Sequence, residues 1–240
     1  MNPTRPAPPE IVRTKVVATL GPASHGEEAI RGLVEAGVDV FRLNMAHGSI
    51  DEHAESLARI RRVSEALARP IGVLADLAGP KIRLGELPGG ATDLAEGEHV
   101  SFVRGTEAHG PGEFTVTYEP LVDELSLGDS VMLADGTISL VVVERNAQQV
   151  RCRVIQGGTV RSRQGVNLPG VRLSVAAISA ADWQHAEWAA SAGIDFVSLS
   201  FVRSALEVKL LKELLRTRGS LGRVVAKIEK REAIENLDTI

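Results

Sequence analysis

The sequence predicts an α/β protein: about five of the eight units of a TIM-type (β/α)8 barrel, interrupted by an inserted all-β barrel module. Three observations predict it. Toward both ends of the chain, short apolar runs alternate with segments of helical periodicity, as parallel strands buried on both faces alternate with their crossover helices. Between residues 85 and 172 that alternation gives way to short, glycine-punctuated β segments. The β/α rhythm then resumes, so the chain leaves one domain and returns to it. The expected organisation is a Pro-rich leader over 1–10, barrel over 11–84, the β module over 85–172 and barrel again over 173–240.

The elements follow in order. Residues 15–20 read as the first strand; Ser24 and Glu27 then have capping-box spacing ahead of Ile30, Leu33 and Val34, and Gly37 closes that helix. Residues 38–45 read as the second strand. Ser49 with Glu52 opens a helix whose Leu57, Ile60, Ser64 and Leu67 share a face, and Pro70 ends it. Residues 71–77 make the third strand. Within the module the β runs are 99–104, 113–118, 130–133, 137–144 and 149–155, with Ala134-Asp135-Gly136-Thr137 as a hairpin signal. Beyond Pro169-Gly170 come a helix over 180–192, a strand over 195–201, a helix over 204–216, a strand over 223–228 and a last helical stretch. Five strands fall short of the roughly eight of a closed barrel, and the helical stretch reaches Ile240 without a Gly or Pro stop signal, which reads as truncation.

Composition narrows the function classes. The 240 residues are 44% hydrophobic and 24% charged, as expected of a folded globular chain. With 27 basic and 31 acidic side chains the formal net charge is −4, so nucleic acid is not expected as a partner, and an anionic ligand must be small and locally bound. The single cysteine, Cys152, fits a reducing, cytoplasmic setting. No apolar run reaches the roughly 18 residues of a membrane helix, and no membrane partner is expected.

In a parallel β/α domain the carboxyl ends of the strands line the ligand crevice, so polar groups there carry the most information. In Val40-Phe41-Arg42-Leu43-Asn44-Met45 the period of two puts Arg42 and Asn44 on one face and the apolar residues on the other. Val225-Ala226-Lys227-Ile228-Glu229 repeats the pattern with Lys227 and Glu229. Asp76 ends the third strand, and Lys81 and Arg83 follow within one loop. Buried charges at such spacing are costly unless completed by a partner. Arg42, Asn44, Asp76, Lys81, Arg83, Lys227 and Glu229 suit a small phosphorylated carboxylate with a divalent cation. The blander reading is an internal salt-bridge network. Likewise Asp135 reads either as a site residue or as a turn former.

The histidines His25, His47, His53, His99, His109 and His185 are scattered, with no pair at metal-ligand spacing beyond a chance proximity of His47 and His53, and most read as surface residues; Trp183 and Trp188 read as packing residues. Residues 85–90 precede β structure, so they do not form a strand-loop-helix phosphate cradle.

Taken in order, these strand ends resemble the pyruvate kinase family. The resemblance rests on Arg13-Thr14-Lys15, the run from Thr19 to Ser24, Ala36-Gly37, RLNMAHG from Arg42 to Gly48, and Asp76 with the run from Gly79 to Gly85. It continues through Gly165-Val166-Asn167-Leu168-Pro169-Gly170, Ser200-Phe201-Val202-Arg203 and Ala226-Lys227-Ile228-Glu229. It implies phosphoryl transfer from phosphoenolpyruvate to ADP, giving pyruvate and ATP, with Mg²⁺ or Mn²⁺ as cofactor and a homo-oligomeric assembly. By position, Arg42 and Arg83 would bind phosphate oxygens and Lys227 would stabilise the phosphoryl group in flight and the enolate. Glu229 would ligate the divalent metal, and Asn44, His47, Lys81 and Asp135 would join the substrate and nucleotide contacts. The β module would be a lid closing over the nucleotide.

The departures from the family pattern carry expectations of their own. Of the monovalent-cation site only Asn44 and Asp76 remain, because Ala46 and Leu77 stand where hydroxyl residues belong, and Lys81 replaces a glutamate. Potassium should not be required. Arg163-Gln164 replaces a basic pair on the nucleotide side. The family's next strand supplies a second metal-binding aspartate, and later segments a threonine, the rest of the barrel and an allosteric domain, none of which is in this sequence. A magnesium-dependent pyruvate-enolate lyase or aldolase and a non-catalytic remnant remain as alternatives.

Overall fold

The computed structural model describes residues 14–108, 110–171, 173, 174, 176 and 178–240. The expected leader at 1–10, Arg13, His109 and the boundary residue Arg172 lie outside the described residues. The chain is mixed α/β. It begins with β1 (Val17–Thr19), α1 (Glu27–Glu35), β2 (Val40–Asn44), α2 (Ile50–Ala66) and β3 (Gly72–Asp76). A β-rich stretch follows: β4 (Ala91–Leu94), β5 (His99–Val103), β6 (Glu113–Phe114), α3 (Leu121–Glu124), β7 (Ser130–Leu133), β8 (Ile138–Arg145), β9 (Gln149–Gln156), β10 (Gly158–Arg161) and β11 (Val166–Asn167). The chain ends with α4 (Ala180–Ser191), β12 (Phe196–Leu199), α5 (Ala205–Thr217), β13 (Arg223–Ala226) and α6 (Arg231–Glu235).

Two compact units result. The first holds the described residues up to Ala78, Ala180–Ser200 and Ala205–Lys227. Its five-stranded sheet has the order β1-β2-β3-β12-β13, and every pairing is parallel. The expected alternation in β2 is realised: Phe41, Leu43 and Met45 are buried, while Arg42 and Asn44 on the other face are partly accessible. The capping box that opens α2 is complete, with Ser49 Oγ accepting from Glu52 N and Glu52 Oε2 accepting from Ser49 N at 2.7 Å. The capping box expected at Ser24 does not form. Its hydroxyl is committed to a turn, accepting from Gly21 N at 3.0 Å, and α1 starts after Gly26 with no side-chain cap.

The second unit holds Gly79–Ser179, Phe201–Ser204 and Ile228–Ile240. It contains a six-stranded sheet, β11-β7-β8-β9-β5-β6, and an antiparallel β4-β10 pair. Phe102, Phe114, Leu121, Leu125, Leu133 and Ile138 fill its core together with Cys152, whose thiol burial pushes up to about 12. The β7-β8 hairpin turns where expected: Leu133 pairs with Ile138, and Ala134, Asp135 and Gly136 all take positive φ. The strand expected over 113–118 is shorter, because past Phe114 the chain pairs with the 83–85 segment instead, through Thr115 O with Gly85 N at 2.8 Å and Arg83 O with Thr117 N at 2.8 Å. β4, β10 and α3 went unforeseen, since pieces this short carry no readable periodicity.

The close pairing explains Gly85. A β-carbon there would lie 2.0 Å from Thr115 Oγ1, a buried hydroxyl with no hydrogen-bond partner among the described residues. Gly85→Ala should therefore destabilise the chain by about 1–3 kcal/mol in urea unfolding. Adding Thr115→Ala, which removes the obstructing atom, should recover more than half of that loss; no recovery would place the strain elsewhere.

Candidate functional site

At the carboxyl end of β3, within the first unit, the Asp76 side chain is 3% exposed and its carboxylate is fully engaged. β2 brings Arg42, whose Nε and Nη2 lie 2.7 and 2.5 Å from Asp76 Oδ2. Lys227, one residue past β13, sets Nζ 3.2 Å from Oδ1 and 3.4 Å from Oδ2, and its backbone N–H pairs with Leu199 O at 3.1 Å. Ser198 of β12 donates its hydroxyl to Oδ1, and Arg42 Nη1 also donates to Thr19 Oγ1 at 3.1 Å. Thus four strands of the sheet, and the residue just past the fifth, contribute to one polar cluster. Burial alone would raise the Asp76 pKa, but the Ser198 hydroxyl, the Arg42 guanidinium and the Lys227 ammonium outweigh it and hold the carboxyl below its usual 3.8. Two cations thus meet one carboxylate in this trio.

The other residues on the polar face of β2 behave differently. Asn44 Oδ1 turns back to accept from Ala46 N at 3.2 Å. His47 is exposed, and its carbonyl accepts from His53 Nε2 at 3.0 Å. A carbonyl only accepts, so His53 carries its proton on Nε2 when neutral. His53 is buried on α2, with Trp188 of α4 6.2 Å away between ring centroids. It is one of the histidines expected at the surface. Burial pulls its pKa below 6.5, His185 adds to the lowering, and the His47 carbonyl and Glu52 oppose it.

Within the second unit, a cavity of about 410 Å³ is lined by Lys81, Asp135, Asn167, Phe201, Arg203, Glu229, Lys230 and Glu232, among others. That volume lies in the range of small-molecule sites. Glu229 Oε2 accepts from Phe201 N at 2.9 Å, and Phe201 has φ of 54°, a conformation bulky residues rarely adopt. Lys230, with Nζ 3.5 Å from Asn167 Oδ1, has its pKa lowered, first by burial and then by the Arg203 charge, against the pull of Glu232 and Glu229. Arg83 is not among the lining residues; its Nη1 donates to Arg163 O at 3.0 Å. Lys227 and Glu229, expected on one strand face, belong to different units, because the regular pairing of β13 stops at Ala226. Among the described residues no cluster of three or more His, Cys, Asp or Glu side chains could hold a metal, and no helix is long and apolar enough to cross a membrane.

The family model of the pyruvate kinase barrel domain matches residues 11–240. The chain belongs to the pyruvate kinase family. It is 43% identical over 228 residues to the pyruvate kinase of Mycobacterium tuberculosis (strain CDC 1551 / Oshkosh), covering 95% of this chain and 48% of that protein. It is 40% identical over 232 residues to the pyruvate kinase of Corynebacterium glutamicum, with the same shares, 95% and 48%. Pyruvate kinase 2 of Synechocystis sp. is 39% identical over 232 residues, covering 95% of this chain and 39% of its own. The chain therefore spans about half the length of the curated mycobacterial and corynebacterial relatives it matches. Sequence reasoning gave no role to Ser198, Ser200, Arg203 or Lys230. Ser198 and Ser200 alternate in an apolar run, which was the available signal, Ser200 and Arg203 lie within a quoted motif, and Lys230 directly follows Glu229.

The state of His53 gives a measurable consequence. Its folded-state pKa lies below the unfolded value, so its contribution to stability is complete above about pH 6.5 and is lost as pH falls from there through the folded pKa. In urea unfolding between pH 7.5 and 5.5, His53→Gln, which can still donate to His47 O, should lose less stability than the parent chain. Equal losses would rule out His53 as the titrating group.

Proposed function

We propose that the chain carries pyruvate kinase chemistry: the phosphoryl group of phosphoenolpyruvate passes to ADP, giving pyruvate and ATP. The observation that supports it most directly is the convergence of Arg42 and Lys227 on Asp76 at the strand ends of a family member. In this reading the parallel sheet is the first five strands of a (β/α)8 barrel, with barrel segments at 11–84 and 173–240. The inserted β-barrel lid occupies 85–172. The assembly is homo-oligomeric and cytoplasmic.

In the reaction the bond from phosphorus to the enol oxygen breaks and a bond from phosphorus to a β-phosphate oxygen of ADP forms, and the enolate left behind takes a proton from solvent at its methylene carbon to become pyruvate. The negative charge spread over the phosphoryl oxygens in flight is met by Arg42, Arg83 and the Lys227 ammonium, which also stabilises the enolate left behind. Asn44, His47, Lys81 and Asp135 complete the substrate and nucleotide contacts, and closure of the lid keeps water from the phosphoryl group. Glu229, steadied by Phe201 N–H and with Glu232 lining the same cavity, fits the one or two carboxylates that magnesium takes from a protein. A bound Mg²⁺ or Mn²⁺ would supply charge neutralisation to substrate oxygens. Asn44 and Asp76, the remnant of a monovalent-cation site, are engaged with protein donors, and Lys81 brings a fixed cation to the substrate set, so potassium is not needed.

Purified chain should form ATP from ADP and phosphoenolpyruvate in the presence of Mg²⁺, and Lys227→Met should lower kcat by about 10²–10³-fold with a smaller change in KM. No ATP formation, with retro-aldol cleavage of a 2-oxo acid instead, would select a lyase. In a sodium-free assay, adding potassium should change the rate by less than about twofold; a several-fold rise would require a functional cation site at Asn44 and Asp76.

A further inference from the structure

Two buried hydroxyls stand at the end of the apolar strand β12: Ser198 within it, at 1% exposure, and Ser200 one residue past it, at 3%. A buried hydroxyl is tolerated only when bonded, and both reach the end of β3. Ser200 donates to the Leu77 carbonyl at 2.7 Å, a backbone contact. Ser198 instead ends on the Asp76 carboxylate. The two contacts differ in what they control. A carboxylate turns easily about its last torsion. Arg42 is bound at Oδ2, while Lys227 lies nearer Oδ1, so a partial turn of the carboxylate out of its present plane would lengthen both contacts at once. A hydroxyl donating to Oδ1 opposes that turn. Because the hydroxyl is neutral, it does so without adding charge to the cluster.

We propose that Ser198 is a positioning residue: acting through Asp76, it holds Arg42 and Lys227 in the arrangement that phosphoryl transfer requires. The inference rests on the function proposed above, so its test has one arm that does not depend on turnover. In the full chain, the Arg42 Nε–H resonance, assigned by its loss in Arg42→Lys, reports the bond to Asp76. Ser198→Ala should speed its exchange with water by about tenfold or more, as expected for loosening a charge-assisted bond, and Ser198→Thr should restore the slow rate. In the kinetic arm, Ser198→Ala should lower kcat about tenfold with KM for phosphoenolpyruvate within about threefold, and Ser198→Thr should recover most of the kcat.

Unchanged Nε–H exchange in Ser198→Ala would overturn the proposal. So would a threonine variant that behaves like alanine, which would mean that only the side-chain volume mattered, or an altered exchange rate with kcat untouched. If the parent chain itself makes no ATP, the phosphoryl-transfer reading fails separately, and the exchange arm still decides whether Ser198 acts on Arg42 through Asp76.

Discussion

The first unit is organised around one buried charge. Asp76 ends an apolar strand inside the protein, where an ionised carboxylate is tolerated only if its lone pairs are met by donors. A parallel sheet brings the carboxyl ends of its strands to one edge, so the donors come from neighbours far apart in sequence: Arg42 from β2, Ser198 from β12 and Lys227 from just past β13. The sheet order β2-β3-β12-β13 is therefore also the order in which the charges are assembled. Removing any strand from that row would take away the carboxylate or one of its donors, and a partner lost from a buried carboxylate costs more than an exposed ion pair.

The second unit handles charge in another way. Its cavity mixes Lys81, Arg203 and Lys230 with Asp135, Glu229 and Glu232, and much of that set lies on turns and on the ends of short segments. Two of the contributing positions are held in left-handed backbone, Asp135 with φ of 54° in the hairpin and Phe201 with φ of 54° beside Glu229. Such conformations persist only where surrounding structure enforces them, and they recur at binding sites. Asp135 thus serves both as a turn former and as a lining residue. The two readings its sequence context allowed are compatible.

Much of this was legible in the sequence because it rests on local periodicity. The alternation in Val40-Phe41-Arg42-Leu43-Asn44 placed the polar and apolar faces of β2 correctly, and the five parallel strands and the Ser49 capping box follow from equally local patterns. What was missed depends on contacts across the chain. Ser24 has the spacing of a cap, but the turn at Gly21 claims its hydroxyl. His53 reads as a surface histidine until α4 packs Trp188 against it. Ser198 is an unremarkable serine until its strand is placed beside the one that ends in Asp76, a separation of 122 residues. The contact that orders the carboxylate is therefore the one that local sequence could not show.

The donors around Asp76 also fix its behaviour with pH. Because its folded-state pKa lies below the unfolded 3.8, the stability it contributes is complete above that value and is lost only as pH falls through the folded pKa. Across the range where histidines titrate, the carboxylate therefore remains charged. A site that must stabilise transferred negative charge benefits from such constancy, since its electrostatic preorganisation does not have to be rebuilt as pH drifts. The neutral hydroxyl of Ser198 fits that requirement better than a third cation or a second carboxylate would, for either would change the charge of the cluster as well as its geometry.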